Sequence, residues 1–201
     1  MRKVKRIRDQ IADQIREEII SGKYREGDPL REASLATRFN VSRGPIRDAI
    51  LQLTYEGLLQ AEPNKGARVA RLWDEDTRPI MVRMRLQIES LAVEKLVASP
   101  DPKAVKALQK NLNQLRFACE QQDLSSVVQF DMEFHRLLLQ LCGLSNLEAV
   151  WIPIMGGMRL PYSRHETPSE VFEEHARIFE AIKEGDAAAA LDALKQNISQ
   201  S

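Results

Sequence analysis

The chain of 201 residues is long enough for one large domain or two small ones. Its 29 basic and 29 acidic side chains give a net charge of zero, and 43% of its residues are hydrophobic, which is typical of a soluble globular protein. The longest apolar run, residues 137–144, is too short to cross a bilayer, and no apolar run follows the basic start. We therefore expect neither a membrane protein nor a secreted one.

Charge is distributed unevenly along the chain. Residues 1–72 carry 15 lysines and arginines against 10 acids, and the remaining residues carry 14 against 19. A basic N-terminal part followed by an acidic C-terminal part indicates two modules with different partners. The two cysteines, Cys119 and Cys142, lie in amphipathic segments. This favours buried free thiols over a disulfide, and a cytoplasmic location.

The elements of residues 1–72, taken in order, predict a winged helix-turn-helix. A first helix is indicated by isoleucines that recur every four residues, namely Ile7, Ile11, Ile15 and Ile19. Residues 30–39 form a predicted second helix, and the Ser42 hydroxyl is expected to cap a third. A basic, glycine-bearing turn at residues 63–66 lies between Leu58-Leu59 and residues 68–71, which predicts a two-stranded wing.

Two arginines occupy the first turns of the third helix, where a helix dipole would favour acids. Arg43 and Arg47 flank the apolar stripe four residues apart, so both point outward together. In a helix-turn-helix, the start of the second of the two helices meets base edges, and arginine pairs with guanine. Gly44 allows that helix start to approach a phosphate closely. The pattern predicts DNA binding, and a solvated basic face is the alternative.

Residues 73–78 are polar and are predicted to be a linker, and the pattern after them is helical. We expect six helices, near residues 77–98, 102–121, 124–142, 145–164, 169–184 and 186–199. An antiparallel bundle over residues 79–201 is the arrangement that such helices favour. The predicted fold is therefore mainly α, with a winged helix-turn-helix followed by a bundle.

Four polar side chains interrupt the apolar faces of these helices. Asp131 and His135 are neighbours at i and i+4, while His175 and Asn197 fall on the apolar stripes of two later helices. Buried polar groups need partners, and a carboxylate, two imidazoles and an amide inside a bundle suit a divalent transition metal. A hydrogen-bonded core histidine and a simple Asp131–His135 pair are the alternatives.

Residues 30–69 resemble the DNA-binding domain of the GntR family of transcription regulators. The family motif is matched by LREASLA at residues 30–36, VSRGPIRDAI at 41–50, EGL at 56–58 and GARV at 66–69. Gly44 departs from the usual threonine. The resemblance implies that bases are read by Arg43 and Arg47, that phosphate is contacted by Ser42 and Gly44, and that DNA is also contacted by Arg31 and by Lys65-Gly66, the latter pair in the minor groove.

Residues 130–151 and 173–194 resemble the ligand-binding domain of the FadR-type branch of the same family. Many members of this branch hold zinc, nickel or a similar ion with an aspartate and three histidines, beneath a pocket for a small carboxylate. Asp131, His135 and His175 match that set, and Asn197 stands where the last histidine is expected. His165 is an alternative candidate for the fourth ligand, but it lies in a polar segment and is expected to be exposed.

The segment RLQIE, residues 85–89, resembles a family segment whose arginine faces the effector pocket. Arg85 is therefore a candidate to bind a carboxylate, with an ion pair to Glu89 as the alternative. Arg159 and Tyr162 are weaker effector candidates. Because one winged helix covers few base pairs, we expect a homodimer on an inverted-repeat operator.

The sequence thus predicts a transcription regulator whose affinity for double-stranded operator DNA is controlled by a small organic acid. Two alternatives remain open. One is a metal-dependent enzyme with two histidines and one carboxylate, and the other is a regulator whose helical domain only dimerises.

Overall fold

Nine α-helices and three short β-strands make up the regular structure of the residues that the computed structural model describes, which are 6–62, 66–71, 73–99, 101–159 and 168–200. The chain divides into two units. The N-terminal unit contains Met1–Trp73 and the described part of Ile152–Ser163, and the helical unit contains Asp74–Trp151 and the described part of Arg164–Ser201. Among the described residues, no helix combines the length and apolarity needed to cross a bilayer.

Three helices form the first part of the N-terminal unit: α1 (Ile7–Ile20), α2 (Glu32–Phe39) and α3 (Arg43–Tyr55). The predicted first helix is present, and its isoleucine stripe is buried from Ile11 onward, whereas Ile7 is 57% exposed. Ile7 lies in the first turn of α1, ahead of the part of the helix whose side chains are buried. The second helix begins at Glu32 rather than at Leu30, which belongs to a strand.

The strands form one antiparallel sheet in the order β1 (Pro29–Leu30), β3 (Gly66–Val69), β2 (Leu59–Glu62). The predicted wing corresponds to β2 and β3, and β1 adds a third strand from the connection between α1 and α2. Gly66 has a φ of +100°, and a Cβ at this position would overlap the carbonyl oxygen of Leu30. Glycine is therefore needed where β1 passes close to the start of β3.

An apolar core and a charged network centred on Glu18 help to hold these elements together. The inner face of α3 packs on the α1 isoleucines through Ile46, Ala49, Ile50 and Leu53. Glu18 on α1 is 7% exposed, and its carboxylate accepts hydrogen bonds from Arg38 on α2 and from Lys23. The network fixes α2 against α1, while the start of α3 stays at the surface.

The helical unit is built from α4 (Arg78–Ala98), α5 (Pro102–Glu120), α6 (Leu124–Leu141), the first part of α7 (Glu148–Arg159), α8 (Pro168–Glu184) and α9 (Ala187–Gln200). Side chains at three of its helix starts accept backbone hydrogen bonds: Asp101 from Lys103, Asp123 from Ser126 and Asp186 from Ala189. A 3₁₀ turn, Ser145–Leu147, precedes α7. α5 packs against α6 and α8, and α9 packs against α4 and α8, as expected for a bundle.

Candidate DNA interface and metal centre

The start of α3 differs from the prediction at its cap. Ser42 is the N-cap residue, with extended backbone angles, but its side chain makes no capping hydrogen bond. An N-cap side chain accepts from the N–H of the second or third helical residue, and Pro45, the third residue of α3, has no N–H, so only the N–H of Gly44 remains for a cap and the Ser42 hydroxyl does not accept from it. The predicted hydroxyl cap is therefore wrong, and the hydroxyl is not used to hold the start of its own helix.

Both predicted base-reading arginines are exposed at the start of α3. Arg47 Nε donates to Glu32 Oε2 at 2.8 Å, and the side chain remains 64% exposed. An exposed pair of this kind contributes about 0–1 kcal/mol, so a DNA base can replace Glu32 at little cost. Arg31 is also exposed, and Lys65 lies outside the described residues. The sequence analysis missed the Glu32 partner, although Glu32 is part of the quoted motif.

In the helical unit, α6 and α8 bring three of the predicted metal ligands together. One ligand atom from each of Asp131, His135 and His175 lies within 4.8 Å of the others, and all three side chains are buried. His175 Nε2 is 2.8 Å from Asp131 Oδ1 and 3.2 Å from His135 Nε2. Phe134 packs edge-on against both imidazole rings and forms an apolar wall beside them.

The outer nitrogens of the two rings are held by other groups. His175 Nδ1 lies 2.7 Å from the carbonyl oxygen of Val171, to which it donates. His135 Nδ1 lies 2.7 Å from Glu89 Oε2. With the outer nitrogens protonated, the two Nε2 atoms and Asp131 Oδ1 would present only lone pairs to one another, so a proton on His175 Nε2 or a bound cation must lie among them. The donor set therefore fits a divalent transition metal, with Glu89 and Val171 orienting its ligands.

The charges around the cluster keep its carboxylate ionised. Burial alone would raise the pKa of Asp131, but the imidazole of His175 beside it holds that pKa well below its usual range. Burial would lower the pKa of His175, and Asp131 more than offsets this and raises it. Burial lowers the pKa of His135. An ionised carboxylate next to two imidazoles is a set of metal-binding groups.

Glu89 is the residue of this site whose central place the sequence analysis did not predict. Its Oε1 atom accepts from Arg85 Nε at 2.8 Å and from Trp151 Nε1 at 2.7 Å. Although burial opposes the charge, Arg85 and His135 lower the pKa of Glu89 to about 2. The ion pair between Arg85 and Glu89 is formed, and it is buried rather than on the helix surface, with 1% and 0% of the side chains exposed. The spacing of four residues was the available signal.

The remaining predicted site residues are placed as follows. Asn197 is 3% exposed, and its Nδ2 donates to Glu174 Oε2 at 2.8 Å, so Glu174 sets the orientation of the amide. Arg159 is the last residue of α7, and its side chain is outside what the structure describes. Tyr162 and His165 lie outside the described residues.

Comparison with known proteins agrees with this architecture. Residues 7–69 match the family model for bacterial regulatory proteins of the gntR family, and residues 81–200 match the FCD domain. The transcriptional regulator YdhC of Bacillus subtilis is 31% identical over 90% of this chain and 83% of its own length. The gluconate operon transcriptional repressor of B. subtilis is 28% identical over 93% of this chain and 80% of its own.

The same fold occurs in a solved structure. Escherichia coli McbR/YncC has a TM-score of 0.75 at 20% identity, covering 98% of this chain and 95% of the other. The two family models together span both units of the chain. The two relatives named above are transcriptional regulators rather than enzymes. The chain therefore belongs to the GntR family of bacterial regulatory proteins and is a DNA-binding transcription regulator with a C-terminal FCD domain.

Proposed function

We propose that the protein acts as a homodimer on an inverted-repeat operator and that a small organic acid, bound in the helical unit over a divalent transition metal, changes its operator affinity. The observation that carries this proposal is the buried convergence of Asp131, His135 and His175 within 4.8 Å. A coupling of about 1–3 kcal/mol between effector and operator is sufficient for regulation. The compartment proposed is the cytoplasm, where an operator is accessible.

On the DNA side, the exposed start of α3 supports base reading by Arg43 and Arg47. The exposed ion pair between Arg47 and Glu32 is weak, so the Arg47 guanidinium can leave Glu32 and bind a base at little energetic cost. Ser42 carries a hydroxyl that its own helix does not use, and Gly44 adds a backbone N–H at the helix start, so both suit a phosphate. Arg31, Lys65 and Gly66 are proposed as further DNA contacts.

On the effector side, we assign Asp131, His135 and His175 as metal ligands and Asn197 as a fourth, weaker ligand. A bound divalent ion would supply positive charge that offsets Asp131 and attracts an effector carboxylate. Arg85 is proposed to face the same carboxylate, because a guanidinium carries five donors and can pair with a carboxylate through two of them. Arg159 and Tyr162 are proposed to line the pocket.

Operator recognition is tested by selecting binding sites from a random duplex pool with the wild-type protein and then measuring gel shifts. Arg47→Ala should lower the preference for the selected site by about 10- to 100-fold, since a bidentate arginine–guanine pair contributes about 1–3 kcal/mol of discrimination. Arg116→Ala is the matched control, because Arg116 is also an exposed arginine paired with a glutamate but lies in the helical unit. Unchanged specificity in Arg47→Ala would count against the assignment of α3.

Metal binding is tested by elemental analysis after dialysis against zinc or nickel. His175→Ala should lose the metal, because His175 belongs to the cluster. His165→Ala should retain it, because His165 lies in a polar segment of the sequence and is expected to be exposed. A thermal-shift screen with small organic acids then tests the effector. Absence of both metal and acid response in the wild type would favour the alternative in which the helical unit serves only for dimerisation.

A further inference from the structure

Asn111 on α5 is buried in the helical unit and plays no part in the cluster described above. Its side chain is 3% exposed, and among the described residues neither Nδ2 nor Oδ1 has a hydrogen-bond partner. It shares the inner face of α5 with Leu108, Leu112 and Leu115. Unsatisfied buried amide groups destabilise a folded protein. The position therefore calls for a polar partner that the described part of the chain does not supply.

Helix register places Asn111 level with the cluster. α5 and α6 pack against each other and are joined by the short turn at residues 121–123, so they run antiparallel. Asn111 lies 11 residues before Gln122, while Asp131 and His135 lie 9 and 13 residues after it. At a rise of 1.5 Å per residue, Asn111 is offset along the axes by only about 3 Å from each. α5 also packs against α8, which carries His175.

We propose that Asn111 is a specificity-determining residue of the effector site and that it selects an organic acid with a hydroxyl group beside its carboxylate. This inference rests on the proposed function. Nδ2 can donate to a carboxylate oxygen, whereas Oδ1 is an acceptor and needs a donor. A plain carboxylate offers acceptors only and leaves Oδ1 unsatisfied, but a neighbouring hydroxyl satisfies it. Sites built around a ligand hydroxyl reject the analogue that lacks it, because their own polar group is then left unpaired.

Charge separates a hydroxy acid from an amino acid, which also carries a donor beside its carboxylate. An ammonium group would bring positive charge close to Arg85, whose field already acts on Asp131, and to the proposed metal ion. A neutral hydroxyl avoids that repulsion. The relative named for the gluconate operon makes gluconate, a hydroxy acid, a natural probe.

The test is calorimetric titration of the zinc-loaded full chain with propionate, lactate and alanine, which differ only at the α-carbon, and with hexanoate and gluconate. In the wild type, a hydroxy acid should bind about 10-fold or more tightly than its plain counterpart. Asn111→Leu should reduce this ratio to about 2-fold or less without changing the zinc content. The ligand-free variant should also unfold at a higher temperature, because it no longer buries unsatisfied groups. Asn113→Leu, an exposed asparagine on the same helix, should leave the ratio unchanged.

The possible results distinguish a failure of the Asn111 assignment from a failure of the proposed organic-acid effector. An unchanged hydroxyl preference in Asn111→Leu, or alanine binding more tightly than lactate, overturns the inference and leaves the acid effector standing. If the wild type binds none of the five acids, the proposed effector class and the inference both fail. If the leucine variant does not fold, Asn111→Ser provides the same measurement. Asn111→Ser should lower the affinity for hydroxy acids and leave the affinity for plain acids unchanged.

Discussion

Replacing Glu89 with glutamine tests how the charges of the helical unit are compensated. The Glu89 carboxylate is fully buried, accepts from Arg85 and Trp151, and lies 2.7 Å from His135 Nδ1. Glutamine has nearly the same shape and keeps an acceptor for Trp151. The substitution therefore removes chiefly the negative charge that faces the buried guanidinium.

The size of the effect follows from the burial of the pair. Removing one partner of a buried ion pair costs about 3–5 kcal/mol, and the retained acceptor places Glu89→Gln in the lower half of that range. For a unit of this size, the loss corresponds to a fall in Tm of about 10–15 °C. Metal affinity should also fall by about 10- to 100-fold, because Glu89 orients His135.

The matched control is Glu120→Gln. Arg116 and Glu120 have the same i, i+4 spacing on a helix of the same unit, but their side chains are 57% and 60% exposed and the Nε–Oε1 distance is 3.8 Å. We expect a loss below about 0.5 kcal/mol. Calorimetric unfolding in chelator measures both variants without the contribution of metal. If both variants unfold within about 0.5 kcal/mol of each other, the Glu89 charge does not compensate Arg85 and the reasoning fails.

Three further predictions concern the acid response, the sheet and the metal. Glu18→Gln should cost about 1 kcal/mol at pH 7 after solvent screening. Because Arg38 holds the pKa of Glu18 below 4.5, this contribution is complete above pH 4.5 and is lost as the pH falls through the pKa of the folded state. If the difference in unfolding free energy between wild type and variant, measured with urea, stayed constant in acid, this prediction would be wrong. Gly66→Ala should cost about 1–3 kcal/mol more than Gly27→Ala in thermal melts, since both have positive φ but only the former brings a Cβ onto Leu30; equal losses would refute this. Zinc added after chelation should raise the Tm of the wild type but not that of a variant lacking both cluster histidines, and equal shifts would place the metal elsewhere.

Local periodicity predicted most of the helices, because the side chains that form an apolar stripe repeat within one segment. The same reasoning placed Asp131, His135, His175 and Asn197 inside the bundle, and all four are buried. Each lies among apolar neighbours on its own helix, so its burial follows from the amphipathic pattern alone.

The errors concern groups whose state depends on distant residues. β1 has only two residues and exists through its pairing with Arg68 and Ala67, which local propensity cannot reveal. Ile7 fits the stripe of α1, yet it is 57% exposed and lies ahead of the part of that helix whose side chains are buried. The missing cap at Ser42 was a different failure, since Pro45 was visible in the sequence and lacks one of the two donors that a cap can use.

By itself, the sequence determined the helical periods, the basic start of α3 and the polar residues that face inward, because these depend on neighbours three or four positions away. Only the tertiary structure decided that Glu89 also joins Trp151 and His135 and that Glu32 holds Arg47. It also decided that Asn111 is buried without a partner in the described chain. Such contacts join groups on different helices, and whether a charge or an amide is compensated depends on the packing that brings those helices together.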